Sequence, residues 1–209
     1  MGHYALTEME EMGRIGVSDN LSIITQNVDG LHQKSGSKHV IDLHGNMHRV
    51  ICMECGSYHC RHKFHSQLNE QNVDFTTRVS MLKTKETRAD GDAVIPEDYY
   101  KNLSIPSCPT CNTGFVKPDV VYFGDNVPSQ RVEQCYNAVQ NSDGIFCIGT
   151  SLAVYSSFRF VRMAHENHIP IAILNIGLTR AEKMDYDVLK IDSPIGVTLS
   201  MLVELFRND

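Results

Sequence analysis

The stretch "LSIITQNVDGLHQKSG", Leu21 to Gly36, decides how the rest of the chain is read. Its opening run is aliphatic and suits a buried strand over 21–25, yet it ends abruptly in Gln26, Asn27 and Asp29, with His32 close behind. In an open parallel sheet, ligands sit beyond the carboxyl ends of the strands, where short loops present polar groups to a crevice. The stretch therefore reads as a core strand that ends at a site.

The second half of the chain extends that pattern. "DVVYF" (119–123), "GIFCIGT" (144–150) and "PIAILNI" (170–176) read as strands, as does the shorter "YDVLKI" (186–191). Amphipathic helices alternate with them in "PSQRVEQCYNAVQN", "SFRFVRMAHENH" and the closing "GVTLSMLVELF". Near-continuous apolar strands separated by such helices imply a parallel sheet covered on both faces. Near the start, Ala5, Leu6, Met9 and Met12 recur at helical spacing until Gly13 or Gly16. Residues 52–111 break the rhythm and read as an inserted module, whose charged run "KTKETRADGD" (83–92) suits a flexible loop.

Composition narrows the function. The 209 residues, 42% hydrophobic, can bury a real core, and 25 acidic against 19 basic residues give a net charge of -6. That balance works against a general nucleic-acid binder, because phosphate contacts need a basic surface. No apolar run approaches the roughly 20 residues that span a bilayer, so neither a nucleic acid nor a membrane is the expected partner. The first residues resemble neither a secretory signal nor an Arg-rich transit peptide.

Four of the seven cysteines form "CMEC" (Cys52, Cys55) and "CPTC" (Cys108, Cys111). Two intervening residues let both thiolates of a pair face one ion, and two such pairs complete a closed S4 tetrahedron, the usual arrangement of a structural zinc. Unrelated buried pairs or redox dithiols are the alternative. A further group, "YHCRHKFH" with His59, Cys60, His62 and His65, reads as a solvated helix or turn, with a second, weaker metal site as the other option.

The remaining polar signals lie at strand ends. Asn27 and Asp29 can position a water, an amide or a ribose, and His44, in "DLHGNMHR", has the ordinary titration range of a general base. Asn-Val-Asp after a strand also suits plain turn chemistry. In "GTSLAVYSS", Gly149 permits close backbone approach, while Thr150 and Ser151 offer hydroxyls and amides at a helix start, unless they are a simple cap. "LNIG" (174–177) repeats the arrangement after the next strand.

Taken in order, "TQNVDGLH", "LHG", the two CxxC pairs, "KPDVVYFGD", "GTSLAVYS" and "LNIG" resemble the sirtuins, NAD-dependent protein deacylases, from about Ala5 onward. "FGD", "VYSSFRF" and "PIAILNIG" are most similar to the mitochondrial class II branch that includes sirtuin four. Most other branches have proline where this chain has Ser156. The resemblance implies a Rossmann-like α/β domain over 1–48 and 119–209, with an inserted zinc-binding module over 49–118. It implies His44 as general base, and Gln26, Asn27, Val28 and Asp29 around the nicotinamide and its ribose. Gly149, Thr150, Ser151, Asn175, Ile176 and Gly177 would hold the adenosine ribose, with Ile195 near the adenine. Val120, Val121, Phe123 and Gly124 would pair with an acyl-lysine substrate as an added strand, and Cys52, Cys55, Cys108 and Cys111 would hold one zinc.

The implied reaction removes the acyl group from lysine and yields nicotinamide and an acylated ADP-ribose, in the mitochondrial matrix. ADP-ribosyl transfer to protein, or a silent truncated binding module, are the alternatives. The family's first strand and glycine-rich phosphate loop find no counterpart in these residues. The chain is therefore expected to be an incomplete version, short by roughly 70 to 100 residues of an ordinary α/β domain.

Overall fold

The computed structural model describes residues 2–16, 23–81 and 95–209. Leu21 and Ser22, the first two residues expected in the opening strand, and the charged run 83–92 lie outside the described residues. In chain order the elements are α1 (Gly2–Glu11), β1 (Ile23–Thr25), α2 (Leu31–Ser35), β2 (Val40–Asp42), β3 (Gly45–Cys52), β4 (Tyr58–Cys60), α3 (Arg61–Gln71), α4 (Val73–Ser80) and α5 (Glu97–Tyr100). They continue with β5 (Val116–Val120), α6 (Ser129–Gln140), β6 (Ile145–Ile148), α7 (Tyr155–Glu166), β7 (Ile171–Leu174), α8 (Arg180–Lys183), β8 (Leu189–Ile191) and α9 (Ile195–Asn208).

The chain divides into two compact units, one built from Met1–Asn46 and Val120–Asp209, the other from Met47–Asp119. The first unit is α/β and its strands are parallel. Strand β1 pairs with β2 in the register Ile23 to Val40, Ile24 to Ile41 and Thr25 to Asp42. Strands β6, β7 and β8 form a second sheet in that order, with Ile145 opposite Ile171 and Ala172 opposite Leu189.

Alternation along β6 explains why helices cover both faces. Ile145 and Cys147 pack with Ile24, Ile41, Ile171 and Ile173 against Cys135 and Val139 of α6 and Phe158 and Val161 of α7. Phe146 and Ile148 point the other way, to Ala5 and Met9 of α1 and Leu199 and Val203 of α9. Successive strand side chains face opposite sides, so an all-apolar strand needs a helical layer on each. Phe158, Leu43, Ile173, Leu174 and Leu199 are fully buried, each stabilising the fold by about 1.5–3 kcal/mol relative to exposure. The two parallel sheets share one core, because Ile24 and Ile41 of the first pack into the cluster built around the second.

The second unit has a sheet in the order β4-β3-β5, with β3 and β4 antiparallel and Val50 opposite His59. Among its described residues the core is small: Val50, Val116, Cys52 and Cys108 are buried, with Phe64 and Cys111 against them. Helices α3 and α4 bury no apolar residue. Arg49 bonds the buried Asp119 at 2.6 Å while its guanidinium lies 5.1 Å from the Tyr58 ring. So little apolar burial makes a separate source of stability necessary.

Three boundaries differ from expectation. The strand expected over 119–123 ends at Val120; Gly124 takes φ +95°, and Asp125 N–H donates to the Tyr122 carbonyl at 2.9 Å, so a turn replaces its last residues. The helix expected from Ser157 already starts at Tyr155. The stretch 61–80, part of the polar middle of the insertion, is helical. Among the described residues, no helix is long and apolar enough to cross a membrane.

Candidate functional site

The loops after β1, β6 and β7 all leave the carboxyl ends of parallel strands, and the site begins there. The Gln26 Nε2 amide donates to Thr150 Oγ1 at 3.0 Å, which ties the end of β1 to the end of β6. Thr150 Oγ1 also accepts the Leu152 N–H at 3.1 Å, and Leu152 turns the chain with φ +57°. Helix α7 begins only at Tyr155 with Val154 as its cap. Thr150 and Ser151 therefore sit in the loop before the helix and not at its first turn, a correction to the sequence reading. The reason is the left-handed Leu152, which forces the chain through one more bend.

His44 follows β2, half-buried, and both ring nitrogens have partners. Nδ1 lies 3.2 Å from the Gln26 carbonyl oxygen and Nε2 lies 2.8 Å from Ser156 Oγ. Burial pushes the His44 pKa below its ordinary value of 6.5; the Gln26 carbonyl bond opposes this, and the charge of Arg131 adds to it. Arg131 is itself buried and donates to the Leu43 carbonyl at 3.5 Å. The shift favours the neutral imidazole, the state a proton acceptor requires. Its own carbonyl accepts the Val121 N–H at 2.8 Å, so the segment after β5 runs directly beside it.

A carboxylate network backs this loop. Buried Asp42 accepts Gln33 Nε2 at 2.8 Å on one oxygen and Asn46 Nδ2 at 3.1 Å on the other. Because Asp42 and Asn46 flank His44 by two residues on each side, the network fixes the turn that carries the imidazole. Leu43, between them, is fully buried.

The other expected residues are placed more loosely. Asn27 is exposed and its N–H donates to Thr25 Oγ1 at 3.1 Å; Asp29 Oδ1 accepts the Leu31 N–H at 3.0 Å at the entry to α2. Turn chemistry is thus present in this loop. Val28 is half-buried beside them. Asn175 donates its side-chain amide to the Ile176 carbonyl at 2.9 Å and lies close to that of Gly177 at 3.4 Å. Lys190 Nζ donates to the Gly177 carbonyl at 2.6 Å and meets Glu182 at 2.9 Å, which holds the exposed turn of Ile176 and Gly177. Val120 and Val121 are half-buried, whereas Phe123 and Gly124 are exposed.

Gly149 and Ile195 meet. Gly149 takes φ +62°, and a Cβ there would stand 2.7 Å from Ile195 Cδ1, at the start of α9. Gly149→Ala is expected to destabilise the chain by about 1–2 kcal/mol, since a left-handed backbone is strained for any residue with a Cβ. Thermal unfolding would check this, and an unchanged midpoint would mean that the loop relaxes freely.

The second unit gathers four thiols. The Sγ atoms of Cys52, Cys55, Cys108 and Cys111 all lie within 4.8 Å of one another, with Cys52 to Cys111 and Cys55 to Cys108 both at 3.8 Å. A tetrahedron with metal–sulfur bonds of about 2.3 Å has edges of about 3.8 Å, so the set fits one zinc. Each CxxC closes in the same way: Gly56 N–H donates to the Cys52 carbonyl at 3.0 Å and Asn112 N–H to that of Cys108 at 2.8 Å, both in left-handed conformation. Backbone N–H groups of Glu54, Thr110 and Gly114 point at sulfur at 3.3–3.4 Å, which favours thiolate. No second group of three or more potential ligands occurs among the described residues. His62 and His65 lie exposed on α3, and His59 joins Ser57 at 2.9 Å beside Cys108.

Sequence reasoning did not assign roles to Ser156, Arg131, Asp42 or Gly114. Ser156 stood out only as a departure from proline; Gly114 carried no signal. Its missing Cβ matters, because a methyl there would collide with Cys52 Sγ and stand 3.0 Å from Cys111 Sγ.

Residues 1–156 match the profile described as the Sir2 family. The chain is 41% identical over 199 residues to "NAD-dependent protein deacylase SIR4" of Monosiga brevicollis, covering 95% of this chain and 63% of that protein. It is 38% identical over 200 residues to "NAD-dependent protein lipoamidase sirtuin-4, mitochondrial" of Bos taurus, covering 96% of this chain and 59% of the relative. The chain thus spans about three fifths of the length of these curated relatives. Among solved structures it is similar to a Sir2 enzyme at 28% identity and TM-score 0.65, covering 99% of this chain and 68% of the other. A structure described as Sir2 with a p53 peptide and NAD+ shares the fold at 23% identity and TM-score 0.69, covering 100% and 70%.

Proposed function

The chain belongs to the Sir2 family, and from that premise we propose that it carries the catalytic core of an NAD-dependent protein lysine deacylase. The observation that carries the reading is the convergence of a doubly bonded His44 with Gln26 and Thr150 at the carboxyl ends of β1 and β6. The first unit is the NAD-binding domain and the second the inserted zinc module. The mitochondrial matrix is the proposed compartment, supported by the bovine relative's name.

NAD, when bound, would supply an electrophilic ribosyl carbon that gives up nicotinamide and a ribose hydroxyl that takes the acyl group. The chain's own residues do the rest. His44 accepts a proton at Nε2, because Nδ1 faces a carbonyl oxygen that can only accept. Gln26, through its carbonyl and its side-chain amide, links that imidazole to Thr150. Asn27 and Asp29 offer an amide and a carboxylate to the nicotinamide side; Gly149, Thr150, Ser151, Asn175, Ile176, Gly177 and Ile195 form the ribose and adenine side. Val120 and Val121, beside His44, present backbone to an acyl-lysine peptide, with Phe123 and Gly124 at its end.

The test uses the zinc-loaded 209-residue chain with NAD and peptides bearing acetyl, longer acyl or lipoyl lysine. One nicotinamide and one acylated ADP-ribose per lysine freed is the expected result, read by mass spectrometry. A folded chain that frees lysine without releasing nicotinamide, or releases neither, overturns the reading.

A further inference from the structure

Ser156 faces the nitrogen on which the chemistry of His44 depends. Histidine in water prefers its proton on Nε2, which would leave Nδ1 as the basic nitrogen. Here the preference is reversed by one partner. The Gln26 carbonyl, 3.2 Å from Nδ1, can only accept, so Nδ1 carries the proton. Nε2 then holds the lone pair, and the Ser156 hydroxyl, 2.8 Å away, meets it as donor, although a hydroxyl would equally accept from a protonated Nε2.

The position of Ser156 is well fixed. It is the second residue of α7. On one side Ser157 bonds the Val154 carbonyl at 3.1 Å through its own hydroxyl, and on the other Tyr155 lies under the guanidinium groups of Arg159 and Arg162 at 5.0 and 5.4 Å. The Ser156 hydroxyl therefore projects from a rigid helical turn, while His44 sits on a loop braced by Asp42. The Gln26 carbonyl selects the tautomer, and the Ser156 hydroxyl at the opposite nitrogen fixes the rotation of the ring that keeps Nδ1 on that carbonyl.

We infer that Ser156 is a positioning residue for His44: its hydroxyl holds the imidazole in the one rotation that keeps Nδ1 on the Gln26 carbonyl, so that without it the ring swings free and reverts to the Nε2-protonated form preferred in water. Because Nε2 has one lone pair, a proton reaches it either through the Ser156 hydroxyl or once that hydroxyl rotates to another acceptor. The kinetic part of the inference rests on the deacylase reading; the tautomer part does not.

The experiment reads the His44 ring nitrogens directly by long-range ¹H–¹⁵N NMR of the full chain above pH 7, assigned by the signals lost in His44→Gln. The expected wild-type spectrum has Nδ1 protonated and Nε2 bare. In Ser156→Ala the Nε2-protonated form should appear, and Ser156→Thr, which keeps the hydroxyl, should restore the wild-type pattern. In turnover, Ser156→Ala should lower kcat about tenfold, a part of the 10²–10⁴-fold worth of a positioned acid or base, with KM for NAD unchanged and rescue by Ser156→Thr. A wild-type His44 protonated on Nε2 overturns the inference, and so does a Ser156→Ala spectrum identical to wild type, whatever its melting temperature. If no variant or wild type turns over, the deacylase reading fails and the spectra still decide the role of Ser156.

Discussion

His44→Gln is expected to lower acyl-lysine turnover by about 10²–10⁴-fold, the usual worth of a positioned acid or base, while NAD still binds. Glutamine matches much of the volume and can still meet the Gln26 carbonyl, but it takes no proton near neutrality. Calorimetry with NAD beside a nicotinamide-release assay separates the two effects. Retained turnover would remove His44 from the reaction, and lost NAD affinity would make it a structural residue of the loop.

The wild-type pH profile carries the same assignment. Burial holds His44 below 6.5, with the Arg131 charge acting in the same direction and the Gln26 carbonyl against both. The acid limb of turnover is therefore expected below pH 6.5, with a plateau at neutrality. A depressed histidine pKa also means that the unfolded chain binds the proton more readily. Its contribution to stability is present above 6.5 and is lost as the pH falls through the lower native value.

Removing one zinc ligand is the other large effect. Cys108→Ser is expected to abolish zinc binding and unfold Met47–Asp119, because metal affinity in such a site is folding free energy, on the order of 10 kcal/mol. Among its described residues the second unit has little else: four buried residues form its core, two of them ligands. Gly114→Ala should act in the same direction with all four thiols intact, since the added methyl would occupy the place of Cys52 Sγ. Metal analysis with hydrogen exchange resolved by segment would check both. A zinc-free Cys108→Ser chain with wild-type protection over 47–119 would show that packing alone holds the unit.

Much of this protein is written locally. Alternating strands and helices announce a parallel α/β core, because a strand buried on both faces must be apolar at every position and a covering helix must be apolar on one stripe. The metal set is equally plain: Cys-x-x-Cys spacing is itself the geometry of a thiolate pair, and two pairs complete a tetrahedron. Gln26, Asn27 and His44 were visible as polar groups where apolar strands stop, and the order of the motifs pointed to the family.

Other features depend on distance through the fold. That Asp119 to Phe123 would stop being a strand at Val120 follows from the turn at Gly124 and Asp125, not from the apolar run. That Thr150 would bond Gln26, 124 residues away, and Ser156 would reach His44, 112 residues away, is written in neither stretch. Spacing and periodicity report what a residue does within one element. The His44 imidazole meets a carbonyl after β1 and a hydroxyl on α7, and only the packing of those elements around a shared core brings the two to one ring.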